Sequence, residues 1–377
     1  MTRIVFLDHS PIIGGAQLAL AEHIRHLDRD RFEAHVVCGR DEPEMTRRFR
    51  DAGAAVHEFD WPRLRALSPL RVPHLIGRAR ALRRLVLGLR PDVVVANTSR
   101  TAYMSALALA GSGAHVVWWV RDFEFGRRVF RLLERSATRI VCVSHAIREF
   151  YGGTGDPRFD VVYVGSGLHA RLAEIGAGDI AAERARWGLD ASDLVVGYMG
   201  RLVEGKGPQD LVAAAERLAG EFPRLRVLIV GTGRGQTGDN ERALHDLVAA
   251  RGLEPIVRFA GFQSNEALYY RLFDVFVLTS RYREAMPTSA IQAMMAETPV
   301  VATNTGGTPE VVVDGETGLL VPPANPDALA AAIGRVLRDP GLARRLTEAG
   351  AARTAAAHRE ERVSAQLMSI YELICAN

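Results

Sequence analysis

The chain has 377 residues, of which 48% are hydrophobic, and because single cores seldom grow beyond roughly 250–300 residues, this length predicts two domains. Its formal net charge of +3 is too small to indicate a nucleic-acid-binding protein. The three cysteines, Cys38, Cys142 and Cys375, form no CxxC or Cys/His cluster, so we expect neither a zinc site nor a disulfide scaffold.

The start of the chain and its hydropathy bear on where the protein resides. Residues 1–10 are too short and too polar for a signal peptide, and no apolar run of about 18 residues occurs. Together with the widely spaced cysteines, this pattern predicts a cytoplasmic protein, with peripheral attachment at the inner face of a membrane as the alternative.

In the first half of the chain, short apolar runs rich in β-branched residues alternate with helical patterns. Helices are predicted at residues 16–27, 75–89 and 102–110, and strands at residues 4–7, 34–38, 93–97, 116–120, 140–143 and 161–164. Strands that alternate with helices of roughly 10–15 residues indicate βαβ units and a parallel sheet.

The alternation weakens between residues 165 and 193, where small and polar residues dominate, and a domain boundary is predicted there. It then resumes, with strands predicted at residues 194–198, 227–230, 257–259, 275–278, 300–302 and 318–321. Helices are predicted at residues 209–219, 240–250, 265–272, 288–296 and 327–338, and the final stretch at residues 344–374 is also predicted to be helical. The fold class is therefore α/β, with two Rossmann-like domains of similar size.

Two glycine-rich turns follow predicted strands. Gly14 and Gly15 open a helix, where glycine lets the backbone approach a ligand and the helix start offers unpaired amides to an anion. On these residues alone, an anion site and a plain strand-to-helix turn are equally good interpretations. The run at residues 231–235 fits a flexible turn better than a ligand site.

A third loop, residues 200–207 (GRLVEGKG), carries two cations between a strand and a helix. Arg201 offers a planar fork to phosphate oxygens, and Lys206 offers a mobile point charge. The loop is therefore predicted to hold a diphosphate, the alternative being a solvated loop with incidental charges. It is not a P-loop, because no GxxxxGK[ST] sequence fits here.

Residues 274–323 combine a strand, a polar loop, a helix start, a second strand and a glycine turn. Glu284 lies in the loop, Pro287 suits the first turn of the helix, and Thr288 and Ser289 supply hydroxyls and amides. Crevices at the carboxyl edge of a parallel sheet bind nucleotides and phosphates. Glu284 alone is equally well an ordinary loop acid, but two cations on a neighbouring loop favour a ligand role.

Two further segments carry charge in the first half. Arg121 and Asp122 end a predicted strand, where they are placed either to meet a ligand or to form a surface ion pair. Residues 63–90 contain eight arginines and no acid. A basic amphipathic helix there predicts a peripheral membrane contact, although an ordinary surface helix with an inward apolar stripe is the favoured alternative.

Together these motifs resemble family 4 glycosyltransferases, which are retaining sugar-nucleotide enzymes of the GT-B fold. The similarity runs over nearly the whole chain and is carried by the Gly14-Gly15 pair, the GRLxxxKG loop, the Glu284 segment and residues 312–333. It implies an acceptor-side domain at residues 1–170 and a nucleotide-sugar-binding domain at residues 171–355, facing each other across a cleft. The final helix, residues 356–377, would pack back on the first domain.

The resemblance also implies a reaction, in which a sugar moves from a nucleotide diphosphate, most often UDP, to a hydroxyl of a glycan, a lipid or a natural product. No metal and no further cofactor would be needed. The catalytic residues would be Arg201 and Lys206 at the diphosphate and Glu284 at the donor sugar. The other donor contacts would be Gly14, Gly15, Phe262 beside the base, Pro287, Thr288, Ser289 and Gln292, and the acceptor side would include Arg121 and Asp122.

Two departures from the family pattern keep other functions open. The family usually has a second glutamate eight residues after the first, which grips the ribose, whereas Gln292 here is neutral and also donates. The family often has His-Asp where this chain has Arg121-Asp122, and arginine cannot serve as a base. The alternatives are a non-catalytic sugar-nucleotide-binding partner subunit and a sugar-nucleotide epimerase of the same fold.

Overall fold

The computed structural model describes residues 1–10, 14–40, 43–62, 72–233 and 239–376. The chain folds into two compact units, one made of Met1–Gly165 with Glu360–Asn377 and the other of Ser166–Arg359. The predicted boundaries were residues 170 and 355, within five residues of these divisions.

Seven strands in the described part of the first unit form a parallel sheet. They are β1 Thr2–Leu7, β2 Phe32–Cys38, β3 Ala55–Glu58, β4 Val93–Ala96, β5 His115–Val120, β6 Arg139–Cys142 and β7 Phe159–Val161, in the order β3-β2-β1-β4-β5-β6-β7. The helices are α1 Gly15–Arg25, α2 Pro43–Asp51, α3 Val72–Gly88, α4 Ser99–Leu109, α5 Arg127–Leu133, α6 His145–Tyr151 and, at the end of the chain, α16 Glu360–Ala376.

The central strands of this sheet are covered on both faces, as is usual for parallel sheets. Val5 and Leu7 of β1 pack with α3 and α4 on one face. Phe6, which points to the opposite face, contacts His23 of α1 and Tyr371 of α16. The predicted apolar stripe of α3 packs inward, with Ala79, Leu82 and Val86 in the core.

The second unit repeats this arrangement with a six-stranded sheet in its described part. The strands are β8 Leu194–Met199, β9 Leu225–Val230, β10 Val257–Gly261, β11 Val275–Leu278, β12 Val300–Thr303 and β13 Leu319–Val321, in the order β10-β9-β8-β11-β12-β13. The helices are α7 Leu168–Ala173, α8 Ala177–Arg186, α9 Pro208–Ala219, α10 Asp239–Ala250, α11 Glu266–Leu272, α12 Thr288–Met295, α13 Thr308–Val311, α14 Pro326–Arg338 and α15 Pro340–Ala357.

Three of the differences from the sequence prediction have a clear physical reason. Strand β3 was missed because its sequence, AVHE, forms a half-exposed edge with no apolar run. Helix α8 lies in the segment where the pattern weakens, and none of its residues is buried, so it has no apolar stripe to detect. The final helical stretch is two helices, α15 and α16, with the break at His358 and Arg359, where the chain returns to the first unit.

The strand order fixes where ligands can bind in each sheet. In the second sheet the order reverses between β8 and β11, which are hydrogen-bonded neighbours although two strands and three helices separate them in the chain. The loops that follow these two strands therefore begin side by side, and the crevice at such a switch point is the usual ligand site of a doubly wound sheet. No helix in the described ranges is long and apolar enough to cross a membrane.

Candidate functional site

Five predicted loops follow adjacent strands at one edge of the second sheet. Phe262 follows the outer strand β10, residues 231–233 follow β9, residues 200–207 follow β8, residues 279–287 follow β11, and residues 304–307 follow β12. Parallel strands bring all these ends to the same edge. The candidate site is built where the loops after β8, β11 and β12 meet.

The centre of the site is an ion pair between two of the predicted catalytic residues. The Lys206 Nζ lies 2.5 Å from Oε1 of Glu284. Glu284 is only 6% exposed, and a buried carboxylate must be paired or hydrogen-bonded because its desolvation is costly. Ser280 Oγ donates a second hydrogen bond to the same Oε1, while Oε2 has no hydrogen-bond partner in the described part of the chain.

Backbone contacts hold the loop of Lys206 against the end of β11. Thr279 Oγ1 donates to the Lys206 carbonyl at 2.8 Å, and the Arg281 amide donates to the Gly205 carbonyl at 2.9 Å. Arg281 also grips the buried Asp210 of α9 in a two-pronged pair, with distances of 2.8 and 2.5 Å. This pair raises the pKa of Arg281 and joins the loop after β11 to the helix after β8.

The glycine turn after β12 closes on the backbone of Glu284. The Gly307 amide donates to the Glu284 carbonyl at 2.7 Å. Gly306 has φ +54°, and a Cβ at this position would lie 2.1 Å from the same carbonyl oxygen. Only glycine fits this conformation and this approach, so the turn fixes the Glu284 backbone from a second side.

Arg201, the third predicted catalytic residue, differs from Lys206 in its surroundings. Its side chain is exposed and forms no ion pair with any described residue. The Tyr198 hydroxyl donates to the Arg201 carbonyl at 2.9 Å, which fixes the backbone while leaving the guanidinium available. The loop therefore offers one unpaired cation and one that already has a carboxylate partner.

The start of α12 has one amide that is engaged and one that is not. Pro287 precedes the helix as its N-cap, and the Thr288 amide donates to the Met286 carbonyl at 3.0 Å. The Thr288 amide is therefore engaged, because the chain turns back on itself before the helix begins. The Ser289 amide has no acceptor among the described residues, so it remains able to meet an anion.

Gln292 and Phe262 are the remaining candidates in the second unit. The Tyr270 hydroxyl, fully buried, donates to Gln292 Oε1 at 3.1 Å, so the amide oxygen is engaged. No partner to the Gln292 NH₂ group is found in the described ranges. Phe262 is 72% exposed after strand β10, which leaves its ring open to stack on a planar ligand group.

Gly14 and Gly15 belong to the first unit, at the start of α1. Residues 11–13 of their motif, like residues 234 and 235 of the turn after β9, lie outside the described residues. Behind the turn, the buried Asp8 accepts hydrogen bonds from Asn97 Nδ2 at 2.5 Å and Gln17 Nε2 at 3.0 Å. Burial raises the pKa of Asp8, and this effect outweighs the two hydrogen bonds, which lower the pKa. Sequence reasoning missed this cluster.

Arg121 and Asp122 end β5 but have different environments. The Arg121 guanidinium lies over the Trp119 ring, 3.5 Å from its centre, and burial lowers its pKa to about 10. Its Nε and Nη2 atoms are buried without a hydrogen-bond partner in the described chain. Asp122 instead accepts from Ser99 Oγ at 2.6 Å. The alternative of a surface Arg121–Asp122 ion pair is therefore wrong.

Comparison with known proteins identifies the family. Residues 13–168 match the family model described as Glycosyltransferase Family 4, and residues 179–353 match that described as glycosyl transferases group 1. The lipopolysaccharide core biosynthesis glycosyltransferase LpsE of Rhizobium meliloti is 31% identical over 310 residues, which cover 81% of this chain and 80% of that protein. The chain belongs to the family 4 glycosyltransferases.

Other family members match a shorter part of the chain. The D-inositol 3-phosphate glycosyltransferase of Mycobacteroides abscessus is 42% identical over 185 residues, 48% of this chain and 40% of that protein. The match thus spans less than half of that relative.

The crystal structure of Anabaena HepE in complex with UDP and glucose has a TM-score of 0.85 at 23% identity, covering 99% of this chain and 100% of that one. The predicted GT-B fold is confirmed.

Several residues of this family 4 site were not singled out from the sequence. Thr279 and Ser280 directly follow an apolar strand at the switch point. Hydroxyl side chains in that position could have indicated that they contribute to the site. Tyr270 gave no signal, because a tyrosine on an amphipathic helix is equally well an ordinary core residue. From the sequence, Asp210 is an ordinary acid in the first turn of a helix, and nothing indicates its pairing with Arg281.

Proposed function

We propose that the chain is a retaining glycosyltransferase that moves a sugar from a nucleotide diphosphate, UDP, to an acceptor hydroxyl. The observation that carries this proposal is the pair between Lys206 and the buried Glu284 carboxylate, with the unpaired Arg201 on the same loop as Lys206, at the switch point of the second sheet. Family membership supports a transferase, and the HepE structure in complex with UDP and glucose supports the donor class.

Arg201 and Lys206 act on the diphosphate. As the bond from the sugar to the diphosphate breaks, negative charge grows on the leaving phosphate oxygen, and two fixed cations stabilise it. Preorganised charge of this kind lowers a barrier by about 2.7–4 kcal/mol per group. The free Ser289 amide adds a neutral donor to the same anion. This charge compensation comes from side chains, which is why metal independence is part of the proposal.

Glu284 acts on the donor sugar. Its Oε1 is occupied by Lys206 and Ser280, whereas Oε2 is left to accept hydrogen bonds from sugar hydroxyls. In the reaction, the acceptor oxygen bonds to the anomeric carbon on the face from which the diphosphate departs. The acceptor proton passes to the departing phosphate oxygen, so the configuration is retained and no separate protein base is required.

The acceptor is proposed to bind the first unit, near Asp122. Because two of the three guanidinium nitrogens of Arg121 are buried, Asp122 is the better placed of the two predicted acceptor-side residues. The acceptor is a glycan, a lipid or a natural product. We also propose a cytoplasmic location, with residues 63–90 as at most a minor membrane contact. In the described part of that segment, Val72, Ile76, Arg80 and Arg84 are exposed.

A thermal-shift panel with UDP, GDP, ADP and dTDP sugars tests the donor assignment. A nucleotide at about 100 times its Kd should stabilise the fold by roughly 2.7 kcal/mol, and we expect UDP sugars to give the largest shift. Incubation with the donor alone then separates the alternatives. A transferase slowly releases UDP, an epimerase forms an isomeric sugar nucleotide, and a binding subunit leaves the donor unchanged. The proposal fails if no nucleotide shifts unfolding and no UDP is released.

A further inference from the structure

Helix α5 and the 3₁₀ turn that follows it, Glu134–Ser136, present a basic surface on the first unit. The helix is anchored from inside, because Phe130 stacks on Trp118 at 4.5 Å and on Tyr151 at 3.8 Å between ring centres. The opposite side of this segment is therefore held facing outward. We call that side the α5 face; it consists of Arg127, Arg128, Val129, Arg131, Leu132 and Arg135.

The α5 face combines cations that lack an acidic partner with exposed apolar side chains. None of its four arginines forms an ion pair with an acid in the described part of the chain, although Arg127 lies over the Phe150 ring, 5.1 Å from its centre. Leu132 is 68% exposed and Val129 is 45% exposed. Apolar side chains left in water between cations point to a ligand that has both anionic and apolar parts.

The α5 face carries a local excess of positive charge. Residues 127–135 contain four arginines and one glutamate, a net charge of +3 within nine residues. A concentration of like charge on one short outward-facing segment attracts anions locally.

We propose that the α5 face docks on an anionic lipid bilayer. Guanidinium groups pair with lipid phosphates, while Leu132 and Val129 enter the layer just below the headgroups. A free anionic polymer would satisfy the arginines but would leave both apolar side chains in water. The inference concerns a surface of the first unit and does not rest on the donor chemistry proposed for the second.

Helix α3, in the arginine-rich segment, is less suited to this role. Its apolar stripe is buried, Arg78 lies over the Phe59 ring at 4.5 Å, and Arg83 donates to the Ala108 and Ala110 carbonyls at 3.0 Å. Arg80 and Arg84 are exposed on the same helix. They provide a matched control, because neutralising them removes surface cations without touching the α5 face.

Sedimentation of the full chain with vesicles tests the proposal. We expect the chain to bind vesicles of equal parts phosphatidylglycerol and phosphatidylcholine at least tenfold more tightly than pure phosphatidylcholine, and to be released by about 0.5 M salt, which screens charge. Arg128→Gln/Arg131→Gln/Arg135→Gln should weaken binding at least tenfold. Leu132→Ser should weaken it several-fold, without changing retention on dextran sulfate. Unchanged thermal unfolding shows that each variant is folded.

Several results would overturn the α5 assignment. One is that the wild-type chain ignores anionic vesicles, and another is that the triple variant binds them as the wild type does. A third is that Arg80→Gln/Arg84→Gln abolishes binding. If Leu132→Ser leaves vesicle binding intact while the triple variant loses both vesicles and dextran sulfate, the face recognises a soluble anion instead.

Discussion

Lys206 and Glu284 are separated by 78 residues in the sequence, yet their side chains meet at 2.5 Å. The pair joins the loops that follow β8 and β11, the two strands at which the order of the second sheet reverses. Glu284 holds the ammonium of Lys206 in place before any ligand arrives. A bound diphosphate must therefore share Lys206 with Glu284, whereas it can take the whole charge of Arg201.

Replacing either cation should slow sugar transfer while the fold survives. We expect Arg201→Ala and Lys206→Ala each to lower turnover at least tenfold, because each removes charge that stabilises the departing diphosphate. Arg335→Ala is a matched control, since Arg335 is an exposed arginine on α14 of the same unit. Steady-state kinetics with UDP sugars, checked by circular dichroism, measures the effect. Near-normal turnover in both variants would refute the role of these side chains.

Glu284→Ala should impair transfer more than it impairs nucleotide binding. The carboxylate is assigned to the sugar, and its loss also leaves Lys206 free to pair with the diphosphate. We expect turnover to fall at least tenfold while the Kd for UDP changes less than threefold. Titration calorimetry with UDP and kinetics with the donor give the two quantities. Equal losses in both would mean that Glu284 serves the nucleotide rather than the sugar.

Ser280 is predicted to position Glu284. Its hydroxyl donates to Glu284 Oε1, and a hydrogen bond to a charged group contributes about 1.5–3 kcal/mol. Ser280→Ala should therefore lower kcat roughly tenfold without changing the Kd for UDP. Ser192→Ala, at an exposed serine of the same unit, is the control. A purely structural role would instead lower the unfolding temperature and leave kcat unchanged in the folded fraction.

Glu360 gives the first unit a predicted dependence of stability on pH. Burial raises the pKa of this carboxyl to about 8, against the hydrogen bond from Ser364 and the charge of Arg121. The folded state therefore holds a proton that the unfolded chain releases near pH 4.5, the ordinary value for glutamate. The stabilisation is complete below that pH and is lost as the pH rises through about 8.

Glu360→Gln should remove this dependence, because glutamine is neutral at every pH and can still accept from Ser364. We expect the variant and the wild type to unfold alike near pH 4. By pH 9 the variant should be more stable by a few kcal/mol, or several degrees in Tm. Glu361→Gln, which alters an exposed neighbour, should not show the effect. A stability difference that is the same at all pH values would contradict the prediction.

Much of the fold follows from local patterns. The apolar runs at β1, β4, β8 and β11 are fully or mostly buried in the sheets, and their alternation with helices was sufficient to predict two parallel α/β domains. The break between α15 and α16 was not predictable in the same way. Residues 356–363 (AAHREERV) contain neither glycine nor proline, so only the return of the chain to the first unit ends the helix there.

The sequence by itself determined which loops carry cations, carboxylates and glycines, because spacing along the chain is a local property. Only the tertiary structure decided which of these groups are already satisfied. Lys206 is paired with Glu284, whereas Arg201 has no acidic partner among the described residues. The Thr288 amide donates to a backbone carbonyl, and two guanidinium nitrogens of Arg121 are buried. The physical reason is that pairing depends on strand order and burial, which bring distant residues together and which no local pattern encodes.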